Sequence, residues 1–124
     1  MEPQPPILVA NEPAMYRGVL ASELSHLRPS HPVVLVEPAE LDSAVARIHP
    51  RLVICSQMTE TVRQHAPASI VLYPEGDNRA ILEVDGQLQV VPNPALTDLL
   101  VAVDAAMETG STAALGRRGY CDLN

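Results

Sequence analysis

A doubly wound α/β domain is the fold class this sequence predicts, and three observations predict it. Short apolar runs of strand length (ILVA, VVLV, LVIC and SIVLY) alternate with longer stretches of helical spacing. Phe and Trp are absent and Tyr occurs three times, so the core must be Val, Leu, Ile and Ala, which suits a compact sheet between small-residue helices. After Tyr73 the rhythm breaks, and an Asp-Gly pair separates two apolar arms, the strongest short-range hairpin signal.

The elements follow in order. Residues 7–10 form a buried strand. A helix over 14–28 carries Met15, Val19, Leu20, Leu24 and Leu27 at helical spacing. HPVV turns into a second strand, 33–36. Glu37-Pro38 opens a helix with proline in its first turn, and Leu41, Ala44, Val45 and Ile48 make its apolar stripe. His49-Pro50 stops it before the third strand, 52–55. A short helix over 59–66 leads to the fourth strand, 69–73. Strand–helix alternation gives a parallel sheet with helices on both faces, and right-handed crossovers favour the order 2-1-3-4-5. The arms AILEV and QLQVV flank Asp85-Gly86. The second arm, 88–91, is expected to be the last parallel strand, and the first, 81–84, an added antiparallel edge. From Pro94 a final helix carries Leu96, Leu99, Leu100, Val103 and Met107. One domain over 1–108 and a flexible tail over 109–124 are expected.

Composition narrows the function classes. The formal charge is −7, and all eight basic residues are Arg, scattered apart from Arg117-Arg118; phosphate-backbone binding draws on clustered basic residues, so no nucleic-acid partner is expected. The absence of lysine removes Schiff-base chemistry and P-loop phosphate binding. Cys55 and Cys121 form no metal spacing and no disulfide framework. The opening MEPQPP lacks the charge and apolar stretch of a signal peptide, and no run approaches the ~20 apolar residues of a membrane helix. The expectation is a cytoplasmic protein without membrane contact.

Four strand ends, taken in order, resemble the receiver domain of two-component response regulators over about Ile7 to Met107. ILVANEPAMYRGVL resembles the receiver opening, where a strand ends in two acidic residues; RLVICSQM resembles the third strand, ending in the phosphorylated aspartate; SIVLYP resembles the fourth, ending in Thr or Ser; VVPNPALTDLL resembles the fifth, where Lys-Pro introduces the last helix. The 44 residues from Glu12 to Ser56 match the usual distance from acidic pair to acceptor. The resemblance implies a flavodoxin-like three-layer sandwich in which a β-hairpin replaces the fourth helix.

At each matched position the chemistry is missing. The acidic pair is Asn11 and Glu12, so one carboxylate remains of the three that hold magnesium, a hard cation wanting anionic oxygens. The acceptor position is Ser56, a weak nucleophile without a base; the Thr position is Tyr73, the Lys position Asn93, and the aromatic switch position Val90. The resemblance therefore implies a vestigial pocket of Asn11, Glu12, Ser56, Tyr73 and Asn93, with no catalytic residue, no metal and no cofactor. Without function, Asn11 reads as a helix N-cap or a turn residue, Glu12 as a first-turn acid and Ser56 as a hydroxyl bonded to nearby backbone. The expected function is a non-phosphorylatable receiver-like signalling or regulatory module, not an enzyme, acting through protein–protein interaction. The interface residues are Ile81, Glu83, Val84, Leu88 and Val90. The partner is another signalling protein or a second copy, through the hairpin edge or the last helix, with Arg79, Glu83 and Asp85 as charges that could guard the edge. The alternative is a sensor for a small polar ligand in the vestigial pocket. A flavodoxin-like enzyme ranks last, since NEPAM is not a flavin phosphate loop.

Overall fold

A computed structural model describes residues 6–74 and 77–116. Among them the chain forms six strands and four α-helices, joined in an α/β arrangement around one mixed sheet of order β2-β1-β3-β4-β5-β6. The strands are β1 (Ile7–Ala10), β2 (Val33–Leu35), β3 (Leu52–Cys55), β4 (Ala68–Leu72), β5 (Arg79–Val84) and β6 (Gln87–Pro92). The helices are α1 (Ala14–Leu27), α2 (Leu41–Ile48), α3 (Glu60–His65) and α4 (Leu96–Gly116), and a 3-10 turn over Pro38–Glu40 runs into α2. β2, β1, β3 and β4 are parallel, while β5 pairs antiparallel with both β4 and β6.

The hairpin forms as expected, but its arms are exchanged. The first arm lies beside β4 and the second is the edge. The reason is chain length. A parallel crossover needs a dozen or more residues, and residues 73–78 are too few, so the arm that follows β4 can only turn back antiparallel. Asp85 and Gly86 supply the tight turn, with φ of 52° and 81°; both central residues at positive φ match the strand twist.

The sheet separates two apolar layers. Ile7, Val9, Leu52, Ile54, Ile70 and Leu72 face α1 and α4. Leu8, Val53, Cys55 and Val71 face α2 and α3. On α1 the inward face is Arg17, Leu20, Ala21 and Leu24, whereas Met15 is 81% exposed and Val19 56% exposed. Of the expected stripe, Leu20 and Leu24 face inward and Met15 and Val19 do not, and Arg17 shares the inward face. Thr59 caps α3, its Oγ1 accepting from the Val62 N–H at 3.1 Å. Helix α4 continues to Gly116, past the expected start of a tail at 109. Arg117-Arg118 and Cys121 lie outside the described residues.

Candidate functional site

The carboxyl ends of β1 and β3 meet at the point where chain crossovers leave the sheet on opposite sides. Asn11 follows β1 and is buried, and Ser56 follows β3. The Asn11 Nδ2 donates to Ser56 Oγ at 3.4 Å, and the Glu12 backbone N–H donates to the same oxygen at 3.0 Å. Three sequence-predicted positions, Asn11, Glu12 and Ser56, are thus brought together. Both recorded partners of the serine oxygen are donors. They hold the hydroxyl in place, and neither of these two described partners can accept its proton as a general base would.

Asn11 does not cap α1; that position is Pro13, with no side-chain cap. Its backbone C=O instead accepts from Arg17 Nη1 at 3.0 Å, and its Oδ1 is buried without a hydrogen-bond partner among the described residues. Glu12 precedes the helix, which has no acid in its first turn. Arg17 is the site residue that sequence reading missed. Its side chain is 8% exposed, and Nη2 lies 3.2 Å from Glu37 Oε2. Burying a guanidinium is costly unless it is paired and hydrogen-bonded; here it ties the end of β1 to the segment after β2. The available signal was an Arg in helical register with Leu20, Ala21 and Leu24.

Tyr73, just beyond β4, takes φ 56°, a left-handed conformation unfavourable for a bulky residue. Its N–H donates to the Arg79 C=O at 2.9 Å, and its ring packs on Tyr16 at a centroid distance of 5.8 Å. Burial, with Tyr73 adding to it, pushes the Tyr16 hydroxyl up to about 12, and burial likewise raises the Cys55 thiol to about 11. Both stay protonated at neutral pH.

Asn93 is not brought to the others. Its N–H donates to the Asn78 C=O at 2.9 Å, and its Oδ1 accepts from Asn78 Nδ2. The insertion of β5 carries the strand that ends at Asn93 one strand spacing, about 4.8 Å, further from β3. Val90, on β6, is 52% exposed.

From the strand ends a cavity of about 1300 Å³ runs across the sheet to the hairpin, lined by Glu12, Ser56, Thr59, Tyr73, Ile81 and Leu88 among others. It follows the α3 side of β4, β5 and β6, where the register sets Val71, Ile81 and Val90 in one row and Ser69, Glu83 and Leu88 in the next. Val84 points to the opposite side with Ala68 and Gln87.

Comparison with protein-family models, curated proteins and solved structures gave no significant match. The site must be read from its own chemistry. Among the described residues no group of three or more His, Cys, Asp or Glu is placed to hold a metal ion, and no helix is long and apolar enough to cross a membrane.

Proposed function

We propose that this chain is a receiver-like signalling module of flavodoxin-like type that is not phosphorylated and acts by docking another protein. The observation that carries the reading is the pair of donors on Ser56 Oγ, from Asn11 and Glu12. At the position corresponding to a receiver's acceptor aspartate, a hydroxyl is built into the joint between β1 and β3. The strand order β2-β1-β3-β4 also agrees with that family's order.

The sheet face beside α3, which no helix covers among the described residues, supports the docking half of the reading. In a receiver the fourth helix would lie there; here Met58, Val71, Ile81 and Leu88 line an open groove instead, with Arg63 and Glu83 on its walls. A partner segment with an apolar stripe would occupy the groove as a helix fills a hydrophobic channel. A small-ligand sensor has the same cavity in its favour, with Ser56, Gln57 and Thr59 as neutral hydrogen-bonding groups. Its volume, about 1300 Å³, exceeds the ~300–1,000 Å³ of ordinary small-molecule sites. A polypeptide fits it better.

Incubation with acetyl phosphate and magnesium tests the first half, and intact-mass spectrometry should record no gain. A stable gain of one phosphoryl group would overturn the reading. Native mass spectrometry on protein captured gently from its own cells tests the second. A defined second chain supports docking, and a small-molecule increment replaces it with the sensor.

A further inference from the structure

Among the described residues β6 is an edge strand with no neighbour on its outer side, and the ladder with β5 fixes its hydrogen-bonding phase. In an antiparallel pair, residues that exchange backbone bonds alternate with residues whose N–H and C=O point away. The Asn93 N–H donates to the Asn78 C=O, and the β5–β6 register continues that pairing through Ala80↔Val91, Leu82↔Gln89 and Val84↔Gln87. Positions 87, 89 and 91 therefore turn their backbone to β5. Leu88, Val90 and Pro92 turn theirs outward. Pro92 lacks an N–H, and at an outward position this leaves the β5 ladder intact.

Sheet edges are ordinarily guarded by shortness, charge, bulges or proline. At the opposite edge, β2 is only 3 residues long. β6 has 6 residues, QLQVVP, none of them charged, and Leu88 and Val90 are 66% and 52% exposed. The charges expected to guard the edge do not lie on it: Arg79 and Glu83 belong to β5, and Asp85 to the turn. Two copies of a chain with net charge −7 repel each other, and a neutral strand lets them meet without placing like charges in contact.

We propose that β6 pairs antiparallel with β6 of a second copy across a two-fold axis, so that two sheets become one. The axis passes beside Gln89. Leu88 of each copy then lies opposite Val90 of the other, and the two exchange both backbone bonds, while Gln89 faces Gln89 at a non-hydrogen-bonded pair. Moving the axis to Val90 would set Leu88 opposite Pro92, which cannot donate. Moving it to Leu88 would set Val90 against Gly86 in the turn. The chosen register also brings Leu88 and Val90 of the two copies together on the α3 side. On the other side it covers the surroundings of Val101, a residue of α4 that is 68% exposed and borders a cavity with Gln87 and Gln89. The proposal stands on the edge geometry and does not depend on the receiver-like reading.

The test is sedimentation velocity on the full chain over a range of concentrations, expecting a dimer of the 13.3 kDa chain. Leu88→Lys should weaken it by about tenfold or more, by setting charge on a paired edge. In a Cys121→Ser background, Gln89→Cys should cross-link under diamide, because non-hydrogen-bonded partners have Cα atoms about 4.5 Å apart, within disulfide range. Gln87→Cys should not, since its copies lie about four residues, or roughly 14 Å, out of register. Circular dichroism melts establish that each variant folds, and if Leu88→Lys does not, the cysteine pair still decides. A chain that stays monomeric overturns the proposal. So does a dimer in which Gln89→Cys fails to cross-link, or one that a folded Leu88→Lys leaves unchanged. None of these outcomes bears on phosphorylation of Ser56.

Discussion

The parallel half of the sheet and the hairpin half are built from similar residues but buried differently. Every residue of β1, β3 and β4 is buried, because helices cover both faces, as a parallel sheet requires. β5 is mostly half-buried, and β6 is exposed at all but one position. α4 covers the hairpin on one side, through contacts that include Leu82, Val84 and Val91. Among the described residues no helix covers it on the other. The parallel half holds the fold, and the hairpin half offers surface.

The largest effect should separate the two halves directly. Ile54 is fully buried in the α1/α4 layer, and Ile54→Ala is expected to cost ~2–5 kcal/mol from lost burial and the cavity left behind. Leu88→Ala, at concentrations low enough to keep the chain monomeric, should cost less than ~0.5 kcal/mol as a surface change. Urea unfolding of both variants measures the difference. Equal losses would erase the division between core and surface.

A smaller effect sharpens the hairpin's place in the fold. Gly86 has φ +81°, and a Cβ there would meet nothing within 4 Å. The cost of Gly86→Ala is therefore conformational, about 1–2 kcal/mol for a left-handed position, while Gly86→Asn should lose much less because Asn tolerates that region. Hydrogen exchange should locate the loss in the amides of β5 and β6, leaving β1 and β3 protected. Loss spread evenly over all strands would mean that the hairpin folds as one unit with the parallel half.

The sequence was most legible where one local signal decided one element. Apolar runs of four or five residues placed β1, β3 and β4, and Asp85-Gly86 placed the hairpin turn. The order of the hairpin arms was legible only through the length of the connection after Tyr73, a constraint that periodicity does not carry. The span of α1 was legible but its buried face only in part: Leu20 and Leu24 face inward, whereas Met15 and Val19 are exposed and a buried Arg17, satisfied by Asn11 and Glu37, takes an inward position. At the site, the resemblance of the strand ends gathered Asn11, Glu12 and Ser56. It could not place Asn93, whose distance depends on the strand inserted between.

The smallest expected effect lies at the joint between the halves. Arg28, just past α1, donates to both carboxylate oxygens of Asp104 on α4, at 2.7 and 2.8 Å. α1 packs on the parallel half, while α4 also covers the hairpin, so this pair ties the hairpin's only described cover to the rest of the molecule. The hydrogen bonds from Arg28 hold the Asp104 carboxyl below its ordinary value. A carboxyl depressed in the folded state stabilises at pH above its unfolded pKa, and that contribution is lost as the pH falls through the folded value. Asp104→Asn should therefore lower Tm slightly at neutral pH, and the gap to the unaltered chain should close as acid protonates Asp104. The side chains are 31% and 45% exposed, so water and salt screen the pair, and added salt should narrow the same gap. A gap that stayed constant with both pH and salt would assign Asp104 a packing role, and α4 would then be held to the parallel half by its apolar face alone.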